Sequence, residues 1–310
     1  METTANGRAA RLRFAPSPNG ALHLGHALSA LLNAEAAQRL SGRFLVRLED
    51  IDQTRSTPAH ITGMRRDLAW LGLDWEKPER RQSGQMAAYG AALDRLKQQR
   101  LVYPCFASRS EITTAIVSHM DWPRDPDGSP LYPGVWRDAD HSTIAARLAA
   151  GDRPAWRLDM RRASKQVGAV TWHELGTDTP RTIDNDPAMW GDVVLARKDI
   201  ATSYHLSVVV DDALQAITHI IRGHDLYHAT SLHRLLQGLL GLPQPSYLHH
   251  RLILAPDGRK LSKSRKDQSL AGLRAMGATP DDILRLIGWN PDADLAGLSA
   301  NAQKPKPHTG

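Results

Sequence analysis

The sequence predicts an α/β protein: a doubly wound parallel sheet with an inserted α+β subdomain and a short C-terminal helical segment. Three observations carry this reading. A strand, a glycine-containing turn, a helix and a second strand follow one another between Arg11 and Leu48. The alternation returns after Trp190. Between the two stretches, from about Leu101 to Trp190, prolines and tryptophans crowd together and periodicity weakens.

The elements follow in order. Leu12 and Phe14 mark Arg11–Ala15 as a strand, and Pro16-Ser-Pro-Asn-Gly20 ends it as a turn. Leu24, Leu28, Leu31, Leu32 and Leu40 then recur at helical spacing among alanines, up to the Ser41-Gly42 stop. Phe44, Val46 and Leu48 alternate, so Arg43–Leu48 is the next strand. A βαβ unit of this kind implies parallel strands, right-handed crossovers and a Rossmann-type sheet. Thr57-Pro58 starts a helix with an N-cap and a proline at the first helical position, burying Ile61, Leu68 and Leu71. Another helix follows Ser83, with Tyr89, Leu93 and Leu96 inward. Beyond the insertion the pattern resumes with Asp192–Ala196, Tyr204–Val210 and Ile217–Arg222. Thr230 is placed to cap a helix reaching Leu240, and Leu252–Ala255 reads as a last strand before the Pro256-Asp-Gly258 turn. Helical patterns at Leu270–Met276 and Pro280–Trp289 complete the ordered chain. The expected division is a tail (1–10), a first half-domain (11–100), the insertion (101–190), a second half-domain (191–258), a basic loop with terminal helices (259–300) and a tail (301–310).

Composition narrows the function classes. Hydrophobic residues make up 41% and charged residues 23% of 310 positions, which suits a soluble globular chain. Lys plus Arg number 39 against 33 Asp plus Glu, a formal charge of +6 that suits a polyanionic partner as well as simple solubility. Cys105 is the sole cysteine, which excludes an internal disulfide or a multi-cysteine metal site and fits a reducing cytoplasm. No run approaches the ~18–20 apolar residues of a membrane span, and the N-terminus lacks the apolar region of a secretory signal.

Two motifs carry chemistry. In Pro16-Ser-Pro-Asn-Gly-Ala-Leu-His-Leu-Gly-His26, His23 and His26 share one face at a helix start. Free N–H groups and the helix dipole favour phosphate there, and two imidazoles can donate to its oxygens. Gly25 lets a planar ring approach the backbone. Lys260-Leu-Ser-Lys-Ser264, flanked by Arg259, Arg265 and Lys266, offers ammonium charges suited to a leaving pyrophosphate. Taken singly, a pair of helix-start histidines and a solvated basic loop would account for them. Together they bracket the α/β pattern, whose topology brings both to one sheet edge.

Five further segments point the same way: Arg13-Phe-Ala-Pro-Ser-Pro18, Arg47-Leu-Glu-Asp-Ile-Asp52, Asp192-Val-Val-Leu-Ala-Arg197, Tyr204-His-Leu-Ser-Val-Val-Val-Asp-Asp212 and Arg222-Gly-His-Asp-Leu226. With them the sequence resembles the class I aminoacyl-tRNA synthetases of the glutamyl type from about Arg11 to Trp289. His23-Leu-Gly-His26 and Lys260-Leu-Ser-Lys-Ser264 stand at that family's two signature motifs. Because the sequence ends at Gly310, soon after Ser264, no anticodon-binding domain is expected. Among the glutamyl branch the chain is therefore most similar to the glutamyl-queuosine tRNA(Asp) synthetases. The resemblance implies a monomeric, cytoplasmic ligase that activates L-glutamate with ATP and Mg²⁺, without tRNA. It then passes the glutamate to queuosine at the wobble position of tRNA(Asp). The alternatives are a truncated glutamyl-tRNA synthetase that charges a 3′ end, and a non-catalytic tRNA-binding paralogue.

The resemblance also implies site residues. Arg13, Ala15, Ser17, Glu49, Tyr204 and Arg222 match the glutamate site. The two arginines can grip carboxylates through the guanidinium fork, Glu49 can pair with the α-ammonium, and Tyr204 offers a hydroxyl. His23, Gly25, His26 and Lys263 match the ATP site, and Lys260 assists Lys263 on pyrophosphate. One departure concerns zinc. Cys105 and Tyr132 fit a zinc pattern found in the family, but Ala107 and Trp136 stand where cysteines would be, so no metal site is expected. The basic excess is expected along an RNA face that draws on Arg109, Arg124, Arg137, Arg153, Arg161, Arg162 and Lys165, with Trp122 and Trp136 available for stacking.

If His26 stabilises the transferring phosphate, His26→Ala should slow adenylate formation by roughly 10²–10³-fold, the loss expected for one oxyanion donor. A steady-state exchange rate within about twofold of wild type would remove His26 from the mechanism.

Overall fold

Strands β1 (Arg11–Phe14) and β2 (Arg43–Leu48) run parallel, with Leu12 opposite Phe44 and Phe14 opposite Val46. Helix α1 (Leu24–Arg39) crosses between them and buries Ala27, Leu28, Leu32 and Ala36 against the sheet. This is a computed structural model, and it describes residues 9–176, 181–255, 258 and 268–298. Ala10, assigned above to the tail, is buried, and its carbonyl accepts the Arg43 amide at 2.8 Å. Gly42 must be glycine for this approach, since a Cβ would lie 2.4 Å from the Ala10 oxygen.

Helix α2 (Pro58–Trp70) starts as its cap chemistry predicts: the Thr57 hydroxyl accepts the His60 amide and Pro58 takes the first helical position. It leads to β3 (Glu76–Arg81), parallel to β2. Glu-Lys-Pro-Glu-Arg-Arg carries no apolar signal. The strand forms at the sheet edge, where charged side chains are tolerated, and ion pairs hold it: Arg11 and Arg43 reach Glu76 at 3.1 and 3.0 Å. Helix α3 (Met86–Gln98) buries Tyr89, Leu93 and Leu96 as expected.

The middle of the chain contributes β4 (Val102–Cys105), α4 (Arg109–Ile116), α5 (His141–Ala149), β5 (Ala155–Leu158), α6 (Met160–Val167), β6 (Thr171–Glu174) and β7 (Arg181–Asp184). Strands β4 and β5 form an antiparallel sheet that takes in β8 (Val194–Ala196). Val194–Ala196, read above with the resumed α/β pattern, thus hydrogen-bonds into this smaller sheet. Conversely, β6 pairs antiparallel with β7 but parallel with a strand of the main sheet.

The second half runs α7 (Tyr204–Leu214), β9 (His219–Gly223), α8 (Ala229–Leu240) and β10 (Ser246–His250), with β9 and β10 parallel from Ser246 opposite His219 to His250 opposite Gly223. The Thr218 amide donates to the Arg11 carbonyl at 3.0 Å, and the Arg11 amide to Thr218 Oγ1 at 2.9 Å. These bonds lay the β9 edge of one sheet, ordered β9-β10-β6-β7, beside the β1 edge of the other, ordered β1-β2-β3. Helices α9 (Leu270–Ala275) and α10 (Pro280–Leu286) send Leu270, Leu273 and Ile283 into the core around α1, and Leu295, just after α11 (Pro291–Asp294), joins them.

Two expectations are corrected. The last strand among the described residues is Ser246–His250, not Leu252–Ala255, because its polar Ser-Tyr-Leu-His-His run hides the strand signal. Helix α8 starts at Ala229 after His228, with no side-chain cap; Thr230 lies inside it, buried, its hydroxyl facing Arg222. Lys260 and Lys263 lie outside the described residues. No described helix is long and apolar enough to cross a membrane.

Asp211 fastens the first half to α7. Its buried carboxylate accepts from Arg80 Nε at 2.6 Å, Gln82 Nε2 at 2.9 Å and the Tyr89 hydroxyl at 2.7 Å. Asp211→Ala strands these donors, so urea unfolding should show a loss of about 3–5 kcal/mol. A loss under about 1 kcal/mol would show that the node does not hold the fold.

Candidate functional site

The chain winds away from β1 in both directions, and ligands in sheets of this kind bind at the carboxyl ends of the strands where that reversal occurs. A cleft of about 860 Å³ opens there. Arg13, Ala15, Ser17, His23, Gly25, His26, Glu49, Tyr204 and Arg222 all line it. Every described residue nominated for the glutamate and ATP sites is thus gathered at one place from β1, its following loop, α1, the end of β2, α7 and β9.

Local structure explains the convergence. The Glu49 amide donates to the Pro16 carbonyl at 3.1 Å, tying the loop after β1 to the end of β2. His23 is the extended N-cap of α1, and its backbone amide donates to His26 Nδ1 at 3.1 Å. With Nδ1 accepting, a neutral His26 carries its proton on Nε2. The two rings lie 3.8 Å apart, and a Cβ on Gly25 would stand 3.2 Å from the His23 ring. Ser269, just past the second lysine motif, bridges to His23, and the Leu270 amide donates to the Leu22 carbonyl at 2.8 Å.

A buried charge cluster supports the cleft. Arg13 lays Nε and Nη2 on the two oxygens of Asp212 at 2.9 and 3.3 Å. Arg47 Nη1 reaches Asp212 at 2.7 Å, and its Nη2 reaches Glu49 at 3.5 Å. The side-on fork of Arg13 is therefore engaged within the protein, leaving only its outer N–H groups for a ligand. Burial pushes the Glu49 carboxyl up to about 7, against the pull of Arg47 and Arg13. Burial likewise raises the Tyr204 hydroxyl to about 12, so it stays a neutral donor. Asp212 remains below the usual carboxylate range despite burial, because Arg13 and Arg47 hold it ionised.

Arg222 differs from Arg13. Its Nε donates to His249 Nε2, Nη1 contacts His233 Nδ1, and Nη2 donates to Thr230 Oγ1 and the Leu226 carbonyl. It too cannot present a bidentate fork. The sequence reading missed Asp212, Arg47, His233 and His249 as site-building residues. Asp212 and Arg47 lay within the quoted motifs, so a signal was present. His233 and His249 carried none beyond the abundance of histidine.

The remaining nominations fall away from the cleft. Cys105 Sγ donates to the Tyr132 hydroxyl at 3.3 Å, and the Trp136 amide donates to the same oxygen at 3.0 Å. Ala107 packs with Tyr103, Cys105 and Tyr132, while the Trp136 ring meets Phe106 edge-on. These side chains do not make a zinc donor set. Of the basic residues nominated for RNA, Arg137 is engaged by Asp192 at 2.6 Å. Trp122 donates its indole N–H to the Leu131 carbonyl at 2.8 Å, and Trp136 is half-buried.

The class I tRNA synthetase (E and Q) catalytic-domain family matches residues 9–300. The glutamyl-Q tRNA(Asp) synthetase of Rhodobacter capsulatus is 45% identical over 285 residues, covering 89% of this chain and 99% of that protein. The protein of the same name from Symbiobacterium thermophilum is 38% identical, covering 95% of this chain and 88% of its own length. A glutamate–tRNA ligase of Synechococcus is 36% identical, but the match spans 57% of that protein. Among solved structures, the glutamate-tRNA synthetase of Elizabethkingia anophelis shares the fold with a TM-score of 0.76 at 22% identity, covering 95% of this chain and 66% of that one. With a catalytic domain matched along almost the whole chain and named relatives aligned nearly end to end, the chain belongs to the class I glutamyl- and glutaminyl-tRNA synthetase family, beside the glutamyl-Q tRNA(Asp) synthetases, and is a ligase of that type.

Proposed function

We propose that this protein activates L-glutamate with ATP, without tRNA, and transfers it to the queuosine base at the wobble position of tRNA(Asp). The observation that carries this is the 45% identity over 99% of a relative bearing that name, where the tRNA-charging ligases align over less than 60% of their length. The lone buried cysteine suits the cytoplasm, where we place it, acting as a monomer.

The cleft fits the chemistry. A glutamate carboxylate oxygen attacks the α-phosphorus of ATP, pyrophosphate leaves, and a hydroxyl of the queuosine cyclopentenediol then displaces AMP from the acyl carbon. Arg13 and Arg222 meet the carboxylates with single N–H groups, Glu49 takes the α-ammonium, Tyr204 orients the amino acid, and Ala15 and Ser17 shape its loop. His23 and His26, at the open N-terminus of α1 with Gly25 beneath, meet the phosphates. Lys263, assisted by Lys260, receives the pyrophosphate; Ser269 at His23 supports that placement. Mg²⁺ arriving with ATP supplies charge neutralisation on the phosphates. The reading includes no zinc step.

The deciding assay compares glutamate transfer to queuosine-containing and queuosine-free tRNA(Asp). Transfer only to the former, with glutamate-dependent pyrophosphate exchange in the absence of tRNA, is the expected result. Equal charging of both at the 3′ end would mean a tRNA-charging ligase, and no exchange at all would mean a binding protein.

Glu49 adds a pH signature. The unfolded carboxyl titrates near 4.5 and the folded one at about 7, so the protonated form is favoured in the free protein. That contribution to stability is complete below about 4.5 and is lost as pH rises through about 7. An ammonium partner needs the ionised form, so the KM for glutamate should fall as pH rises from about 6 to about 8. Glu49→Gln should flatten this trend; an equal slope in the variant would assign the titration to another group.

A further inference from the structure

Arg222 is buried at the end of β9, yet it touches no carboxylate among the described residues. Arg13, Arg47 and Arg80 all do. Its partners are two imidazole nitrogens, a hydroxyl and a carbonyl. Arginine has five N–H donors and no acceptor. Four of those donors are engaged: Nε on His249 Nε2 at 3.1 Å, one Nη1 hydrogen on His233 Nδ1 at 3.0 Å, and Nη2 on Thr230 Oγ1 at 2.7 Å and the Leu226 carbonyl at 3.1 Å. One N–H of Nη1 is left over.

Because arginine only donates, the facing nitrogens must both carry lone pairs. His249 then holds its proton on Nδ1, which lies 2.9 Å from both oxygens of Glu174. His233 holds its proton on Nε2, which lies 3.2 Å from His205 Nδ1. Thr230 accepts from Arg222, and its hydroxyl oxygen lies 3.1 Å from His249 Nε2. The donor directions agree along the whole chain Glu174–His249–Arg222–His233–His205. Burial keeps the imidazoles neutral: His249 and His205 are pushed down to about 4, and His233 well below its usual value, with the Arg222 charge adding to the effect.

We propose that His233 and His249 are positioning residues, locked in opposite tautomers, that hold Arg222 as a rigid guanidinium whose charge no carboxylate among the described residues neutralises. Neutral acceptors fix the plane of the side chain without cancelling its charge, which a directly bonded carboxylate would do. The cation is thereby preorganised for an anionic group entering the cleft, with Glu174 and His205 anchoring the outer ends of the relay. The inference rests on the glutamate reading in one respect: that Arg222 meets a carboxylate of the amino acid.

The first test uses the unaltered protein. With ¹⁵N-labelled histidine, long-range ¹H–¹⁵N spectra at neutral pH should show His249 protonated on Nδ1 and His233 on Nε2. The reverse tautomer, or an imidazolium at either residue, overturns the relay. The second test is kinetic, using glutamate-dependent pyrophosphate exchange. His233→Leu and His249→Leu should each raise the glutamate KM about tenfold or more, leaving the ATP KM within about twofold. His233→Asn places an acceptor near the Nδ1 position and His249→Gln near the Nε2 position, so each should recover most of the loss. Unchanged glutamate KM in the leucine variants, or equal damage to both substrates without rescue, overturns the proposal. An unaltered protein that shows no glutamate-dependent exchange would instead overturn the glutamate reading, and the tautomer measurement would still decide the relay.

Discussion

The cleft is built around Asp212. Its carboxylate, carried by α7, accepts from Arg13 on β1 and from Arg47 on β2, and so ties three elements together through charge. Removing such groups from water is expensive, and the gain is recovered only when each partner is present and well placed. The cluster is therefore stable as a complete set. Its geometry fixes the ends of two strands, and the ligand-facing residues follow from it: Ala15 lies two positions beyond Arg13, and Glu49 two positions beyond Arg47. Glu49 enters a region already holding Asp211 and Asp212, which is why burial and like charge outweigh its two arginine neighbours.

The two arginines of the cleft are held by opposite means. Arg13 is clamped by a carboxylate and brings little net charge. Arg222 is clamped by neutral nitrogens and oxygens and brings nearly all of its charge. A substrate with two carboxylates and one ammonium would therefore meet an asymmetric field, cationic near β9 and balanced near β1, with a titratable Glu49 in the same cleft. Such a field orients a dicarboxylic amino acid before any bond changes, where a symmetric pair of free arginines would accept it in either direction.

What was legible in the sequence was local. The βαβ unit, the Thr57-Pro58 helix start and the Tyr89-Leu93-Leu96 stripe were readable because apolar period and cap chemistry act within a few residues. Strands β3 and β10 were missed for related reasons. The first is an edge held by ion pairs, and the second gives strand positions to His249 and His250, whose polarity masks the pattern. The cleft residues inside motifs were found, whereas their supports were not. The bond from Arg13 to Asp212 spans 199 positions, and nothing in local spacing announces a partner so far away. His249 and Glu174 likewise meet only because β6 joins the main sheet beside β10.

The same device recurs where the resemblance would have placed a metal. Asp192 accepts from the Tyr103 hydroxyl at 2.5 Å, Arg137 Nε at 2.6 Å and the Met160 amide at 3.0 Å. These donors come from β4, from the loop after Tyr132 and from the start of α6, while Asp192 leads into β8. One buried carboxylate thus gathers the segments around Cys105, and the aromatic packing of Tyr132, Trp136 and Phe106 fills the space beside it. A zinc ion would need four donors converging on one point. An aspartate with three donors achieves the same convergence with ordinary side chains, and Ala107 and Trp136 are compatible with it because neither is asked to bind anything. In a chain whose net charge is positive, the interior is fastened by carboxylates at Asp192, Asp211 and Asp212, while Arg222, which meets no carboxylate among the described residues, stands in the cleft.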